Sequence, residues 1–585
     1  MKRNSLLTSA RMSRREILSK PISFVRLYFA ILLIGGAFLW SCYSIISTRV
    51  QESPPGTITI RIAHWQLETG VREAIEQQAI EYQKLHPNVR IAQEAIPASV
   101  YPTWITTNLL GKTAPDIVEV PFGKMPEEIL LSFHNRYFLP MTPYVGRPNP
   151  YNKGDKDLEN LPLRATFKDG MRIAYIKEIQ EYMVMPLSLF GTRIFYNKNL
   201  LKKLTGLDAP PTEYRAFLAA CEKIAAQSDT SGQRYAPIAN SKEHIWAWDG
   251  MMFNPLTYPL LDRVDFNRDA KVGLDEFFVG VKSGRIDFHH PALVARYKMM
   301  HEVYNFSQPG YTGVALQDAV FLFAQQRAVF LSTGTWDARS LQAQAGGNFE
   351  IGISDFPRPA PDDKEYGKFL TGPVYEEPER GFPFAITRTS PNADVAIDFL
   401  LFLAGKNQNE ALNKTMGWIP VIKGAKMDDF LKPFDPSLEG VYSSLNPGLG
   451  SEVRNKYQQV YSLYQSNQIS YEQFVEQFET FYKDRGLEDY KESKRDWRRA
   501  LQDDEQRLAS LRAAAMLSSE SDAAPKWTRY RAVTQTRQVL PEIQHSQQFQ
   551  LIENGLDKSA VGPYEYSSEA LKRIREHVKA GADKR

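Results

Sequence analysis

Asp265, Asn267, Asp269, Lys271, Gly273 and Glu276 fall at positions 1, 3, 5, 7, 9 and 12 of a twelve-residue stretch, with Val272 at position 8. This is EF-hand spacing, suited to a hard cation such as Ca2+ that takes only oxygen ligands. Asp265, Asn267 and Asp269 would each supply a side-chain oxygen, Lys271 its carbonyl, Gly273 a water and Glu276 both carboxylate oxygens. Position 6 is normally glycine because the loop turns there through positive φ, so Ala270 must accept a strain of about 1 kcal/mol. The alternative is an acidic turn ahead of a helix starting near Leu274. Any calcium here is expected to be structural, since no Met-rich target groove accompanies the loop. Glu68, Asp116, Asp337 and Glu376 are available as acid/base groups, yet none sits in a recognisable catalytic motif. His289-His290 lacks a ligand-spaced carboxylate cluster and reads as a solvated loop. The two cysteines, Cys42 and Cys221, exclude a disulfide framework.

The segment that positions the chain relative to a membrane comes first. Leu27 to Ile46 is a run of twenty uncharged residues, sixteen of them apolar, long enough as a helix to span a hydrocarbon core of about 30 Å. Seven bases and one acid precede it, and the positive-inside rule keeps residues 1–26 in the cytoplasm. The run exceeds the apolar stretch of a cleavable signal peptide. Leu39-Trp40-Ser41-Cys42 also resembles a lipobox, which leaves a lipoprotein anchored through Cys42 as the alternative. Either way the body lies outside the cytoplasmic membrane, behind a linker at residues 47–56.

The whole chain carries +3, but its basic excess lies before residue 27, and the remainder sums to about −3, which offers nothing for nucleic acid. Aromatics reach 12%, including 28 Tyr and 9 Trp, enough for a large core or for a surface that stacks on flat ligands. The length predicts more than one domain.

Alternating Ile58, Ile60 and Ile62 predict a strand ending at His64-Trp65. Val71, Ile75, Ala79 and Tyr82 then recur at helical spacing until His86-Pro87-Asn88, and Val89-Arg90-Ile91 reads as the next strand, giving a βαβ unit. A helix over Trp104 to Leu110 and a buried strand at Ala114-Pro115-Asp116-Ile117-Val118-Glu119-Val120 follow. Open α/β sheets bind ligands at the loops after such strands.

From Thr57 to about Gly424 the chain resembles the extracellular family 1 solute-binding proteins, the maltose-binding-protein-like group that serves ABC sugar importers. The resemblance is carried by that opening, by Ala114-Pro115-Asp116-Ile117, and by Met185-Pro186-Leu187-Ser188 through Phe195-Tyr196-Asn197-Lys198-Asn199-Leu200-Leu201. It continues through Pro210-Pro211-Thr212, Phe323 to Phe330 with Gly334-Thr335-Trp336, and the segments Gly381 to Ile386, Asn392 to Phe402 and Gly417-Trp418-Ile419-Pro420-Val421. Two departures are Tyr214 for the family's Trp and Gln326 for its Gly. The resemblance implies a two-lobed, class II periplasmic-binding-protein-like α/β fold: lobe 1 over residues 57–190 with 370–450, and lobe 2 over 191–369 with the EF-hand-like loop 265–276. Crossings are expected near Met185 to Phe195 and Phe369 to Gly372, with hinge closure around one ligand.

Sugars offer hydroxyl rims and apolar C–H faces, so the implied contacts are aromatics and polar groups on loops. His64, Trp65 and Gln66 follow the first strand, and Trp336-Asp337 matches the aromatic that stacks on sugar in this family. Phe122, Trp246, Trp248, Tyr375 and Glu376 complete the set, each also readable as core in so aromatic a chain. Trp418, within its turn, reads as structural.

From residue 451 the match fades into a helical extension, 451–585. Between Asp484 and Arg507 fifteen of 24 residues are charged, with Trp497, Leu501, Leu508 and Leu511 as a sparse apolar edge, which suits a solvated helix or a partner-binding arm. The implied function is a membrane-tethered binder of mono- or oligosaccharide working with ABC permease subunits. The alternative is a sugar sensor or adaptor signalling to a membrane partner. A glycan-cleaving enzyme would need two carboxylates flanking a bond, and no segment shows that pattern.

Overall fold

The computed structural model describes residues 36, 56–125, 127–176, 179, 181–241, 244–370, 373–376, 379–437, 439–440, 445, 447–536, 550–557, 562–564, 569 and 571–576. Apart from Gly36, the expected anchor at 27–46 and Cys42 lie outside these residues. Among those described, no helix is long and apolar enough to cross a membrane.

Lobe 1 is built on a seven-stranded sheet. Its parallel part pairs β1 (Ile58–His64) with β2 (Val89–Ala95) on one side and β3 (Ile117–Glu119) on the other, with Ile60 opposite Ile91 and Ile62 opposite Ile117. The helix Val71–Leu85 that joins β1 to β2 buries Val71, Ala74, Ile75, Gln78, Ala79 and Tyr82, the one-sided stripe a βαβ crossover needs. A short strand β4 (Phe138–Leu139) and a hairpin of β5 (Tyr175–Ile176) with β6 (Glu181–Tyr182) lead to β7 (Met185–Phe190), in which residues 185–189 are buried.

One residue later the chain changes sheet. β8 (Thr192–Asn197) belongs to lobe 2, a four-stranded sheet ordered β11-β8-β10-β9 with β9 (Ala236–Ala239), β10 (Ala328–Gly334) and β11 (Ile351–Ser354). All six residues of β8 are buried, and Asn197 then caps the helix Lys198–Thr205 by accepting from the Leu200 N–H. The chain returns to lobe 1 as β12 (Glu379–Thr387), antiparallel to β3, β4 and β7, and closes that sheet with β13 (Ile419–Pro420) on β7.

Two features differ from the expected division at residues 370 and 450. Val374, past the expected boundary, belongs with Tyr366 and Phe369 to the core of lobe 2. After β13 the chain leaves the lobe 1 sheet again: the turn Asp429–Phe434 packs against β8 and β11, and Leu445 is in the lobe 2 core. The described residues between 428 and 450 thus form a third crossing, which no hydrophobic period announces because among them no regular element is longer than that turn.

The extension is no free arm at its base. Helix Ser451–Gln465 and the 46-residue helix Tyr471–Met516, which starts from a reciprocal Ser470–Gln473 cap, bury Val453, Val460, Tyr464, Phe474, Phe478 and Tyr482 in the core of lobe 2. Beyond Tyr490 the long helix packs against helix Glu520–Thr536.

Candidate functional site

A cleft of about 2100 Å³ opens where the chain passes from β7 to β8, and both lobes line it. It lies at the carboxyl ends of β1, β3 and β10, where strand ends leave loops free to present side chains. On the lobe 1 side, Trp65 and Gln66 follow β1 and Phe122 follows β3. Trp65 and Gln66 share one support, Glu119, the last residue of β3 and fully buried. Its carboxylate accepts from the Trp65 backbone N–H at 3.0 Å and from Gln66 Nε2 at 2.7 Å. Its own carbonyl accepts from the Tyr101 hydroxyl at 2.8 Å, and the Tyr101 ring packs 5.1 Å from that of Trp65. Burial pushes Glu119 well above the usual carboxylate range against these donors, and nearby Glu68 adds to the push.

On the lobe 2 side, Trp336 sits in the turn after β10 and stacks on Trp246 with ring centroids 5.9 Å apart and planes 26° apart. Trp246 remains 42% exposed. Gly334 makes room for this arrangement: a Cβ there would lie 2.1 Å from the Trp336 ring. Phe190, at the end of β7, meets Trp336 edge-on at 5.4 Å. Asp337 beside it accepts from the Thr333 hydroxyl at 2.5 Å, and burial raises its pKa to about 6. The same field links the lobes, because burial first and then Asp337 raise Glu68 on the opposite wall.

Tyr375 and Glu376 reach the cleft from the second crossing, Glu376 held by Arg193. Two expected contacts are not there. Trp248 is fully buried against Phe217, Phe253 and Phe356, because its short helix turns it away from its neighbour Trp246. His64 still belongs to β1 and points into the core, edge-on to Phe382; burial lowers its pKa to about 4, so it stays neutral. Trp418 is buried against Phe190 and Phe382, as a turn-core residue is. Asp116 lies at the opposite end of β3, accepting from the Arg61 N–H and the Ser390 hydroxyl. His289 is exposed beside Glu472, and His290 caps the helix Pro291–Tyr304.

The sequence reading missed Glu119 and Arg193, and it missed Gln317, Phe321 and Gln325, which line the cleft from the helix Leu316–Ala324 and its end. Glu119 carried a signal: an acid between Val118 and Val120 in an otherwise apolar strand.

The EF-hand-like loop lies apart from the cleft. It brings one carboxylate oxygen each of Asp265, Asp269 and Glu276 within 4.8 Å of one another. Ala270 does adopt positive φ, at 61°. Asp265 accepts from the N–H groups of Asp269 and Ala270, Asn267 from that of Asp269, and Glu276 from those of Asn267 and Gly273. Lys271 is exposed at the rim and Val272 buried beneath it. Burial raises Glu276 to about 8, with Asp269 and Asp265 adding to the shift. The donor set is all oxygen and fits a hard divalent cation.

Residues 156–433 match the family of bacterial extracellular solute-binding proteins. No curated protein matches the chain by sequence. Among solved structures, RafE in complex with raffinose shares 16% identity at a TM-score of 0.51, covering 73% of this chain and 99% of that one. A protein of xylan utilization in the thermophilic bacterium Caldanaerobius polysaccharolyticus shares 17% at 0.50, covering 72% and 99%. A chitin oligosaccharide binding protein shares 14% at 0.50, covering 73% and 98%. At these identities the likeness is one of fold.

Proposed function

Because residues 156–433 match the bacterial extracellular solute-binding proteins, we propose a carbohydrate binder that closes two lobes on its ligand and hands it to an ABC importer. The carrying observation is the cleft itself: stacked indoles on one wall, Trp65 with buried carboxyl groups on the other, and the strand-to-strand switch at its base. Indole faces suit the C–H faces of sugar rings, and carboxyl and amide groups suit their hydroxyls. Only contacts made to both lobes shift the population toward closure. The same fold in proteins named for raffinose and chitin oligosaccharide supports the ligand class. The matched family binds its ligands without transforming them, and ABC permease subunits are the partners that fit it.

The finer parts of the reading rest on sequence. Residues 27–46 anchor the body to the outer face of the cytoplasmic membrane, with a lipid on Cys42 as the alternative, which mass spectrometry of the native N-terminus distinguishes. The loop at 265–276 takes Ca2+ through Asp265, Asn267, Asp269, the Lys271 carbonyl and Glu276, clipping lobe 2 beside the extension. Because Glu276 is neutral below about pH 8 without the ion, calcium must displace its proton. Apparent calcium affinity should therefore rise about tenfold per pH unit up to that point, and Glu276→Gln should abolish the calcium-dependent rise in melting temperature. Equal melting with calcium and with chelator would remove the metal.

The test of the main reading is thermal unfolding of the full chain in detergent against mono-, di- and trisaccharides of glucose, galactose, xylose and N-acetylglucosamine. A ligand that binds only the folded form raises the melting temperature. Recovery of the sugar unchanged supports binding, and turnover or no shift with any of them overturns it. The sensor or adaptor reading draws on one observation, the long helix rooted in the lobe that carries Trp246 and Trp336.

A further inference from the structure

Arg193, the second residue of β8, has a side chain only 3% exposed, and its guanidinium meets all three connections between the lobes. Its own strand carries the first, which ends at Gly191, and Nη1 donates back to the carbonyl of the preceding Thr192 at 2.7 Å. From the second, Glu376 takes a two-pronged pair, Oε1 from Nη1 at 2.7 Å and Oε2 from Nη2 at 2.9 Å; Asp355, just after β11 within lobe 2, places Oδ1 2.8 Å from Nε. From the third, the Pro433 and Asp435 carbonyls accept from Nε at 2.6 Å and from Nη2 at 3.4 Å. The planar fork has five donors, and every one is used. The Phe434 ring lies 5.7 Å from the guanidinium carbon. At the crossing itself, Gly191 admits the Glu376 carboxylate: a Cβ there would stand 3.2 Å from Oε1. Gly191 and Glu376 both line the cleft floor.

We propose that Arg193 is the positioning residue of the binding site: it fixes the Glu376 carboxylate at the cleft floor and, by holding the three connections at one point, is the pivot about which the lobes turn. The geometry separates this role from ordinary core packing. A buried guanidinium that only neutralised Glu376 would need one partner, whereas this one ties chain segments far apart in sequence, each of which must move if the lobes move. A lysine keeps the charge but offers three donors from one atom, and cannot hold a carboxylate in two places and three carbonyls together. A ligand hydroxyl donating to Glu376 would meet a carboxylate already oriented, and the pull on it would be felt at every connection. The contact of ligand with Glu376 rests on the carbohydrate-binding reading; the pivot does not.

The experiment places spin labels on Glu76→Cys in lobe 1 and Lys203→Cys in lobe 2, both exposed, in the full chain carrying Cys42→Ser, with Cys221 buried and left in place. Interlobe distances are read by pulsed electron resonance without any sugar. The parent is expected to give one narrow distribution, and Arg193→Lys and Glu376→Gln to at least double its width. Arg296→Lys is the control, because Arg296 is equally buried and pairs with Asp249 inside lobe 2. It should lower the melting temperature while leaving the distance distribution unchanged. If Arg193→Lys and Glu376→Gln lower the melting temperature but leave the distribution as narrow as the parent's, Arg193 is a structural ion pair and the pivot is wrong. If the distribution widens yet no saccharide binds the parent, the pivot stands and the carbohydrate reading falls.

Discussion

On the lobe 1 wall of the cleft, Trp65 and Gln66 hang from a carboxyl group that is itself fully buried, whereas on the lobe 2 wall Trp246 and Trp336 lean chiefly on each other and on Phe190. The first wall is fixed by hydrogen bonds to a carboxyl group buried beneath it, so its geometry is part of the fold. The second is fixed by ring contacts, with one indole still 42% exposed, so its geometry can adjust to the ligand at little cost. Under the proposed carbohydrate reading, the contrast assigns the two walls different parts: one sets where the ligand sits and the other supplies the surface that closes on it.

The sharpest break of that contrast is Glu119→Ala. It leaves the Trp65 N–H and Gln66 Nε2 unpaired in the interior and opens a void, and should cost about 3–5 kcal/mol of stability by chemical denaturation. Glu119→Gln should cost far less, since burial already favours the neutral acid and the amide nearly reproduces its shape. Equal losses for both would mean that the carboxyl is not the support of this wall.

The next effect falls on the other wall. Trp336→Ala removes a half-buried ring, and saccharide affinity measured by calorimetry should drop roughly 10- to 100-fold. The unliganded melting temperature should move by only a few degrees. A collapse of the unliganded fold would reclassify the ring as core and erase the difference between the walls.

How much of this was legible beforehand follows the same division. The lobe 2 aromatics were readable because Trp336 follows a strand within a recognisable motif, and Trp65 because it follows β1. Trp248 and His64 were misplaced for one reason: a single helical residue or one more strand residue turns a side chain from cleft to core, and no local pattern states where an element's last turn falls. The βαβ opening of lobe 1 was legible from periodicity and the two-lobed architecture from the family resemblance, while the third crossing at residues 428–450 was not. Arg193 was invisible because its partners at Glu376, Pro433 and Asp435 are about two hundred residues away in the sequence.

The smallest effect tests whether the walls also communicate through charge. Burial raises Asp337 from an ordinary 3.8 to about 6, so the folded protein holds its proton where the unfolded chain has released it. Stability from this group is therefore fully present below about pH 4 and is lost as pH rises through 6, at most about 3 kcal/mol by linkage. Asp337→Asn cannot ionise, and its stability relative to the parent should grow across that window and level off above it. Glu68 sits on the facing wall and is raised by burial and, beyond that, by Asp337, so its upward shift should shrink in Asp337→Asn. If Asp337→Asn leaves the titration of Glu68 untouched, the two walls act independently until a ligand joins them.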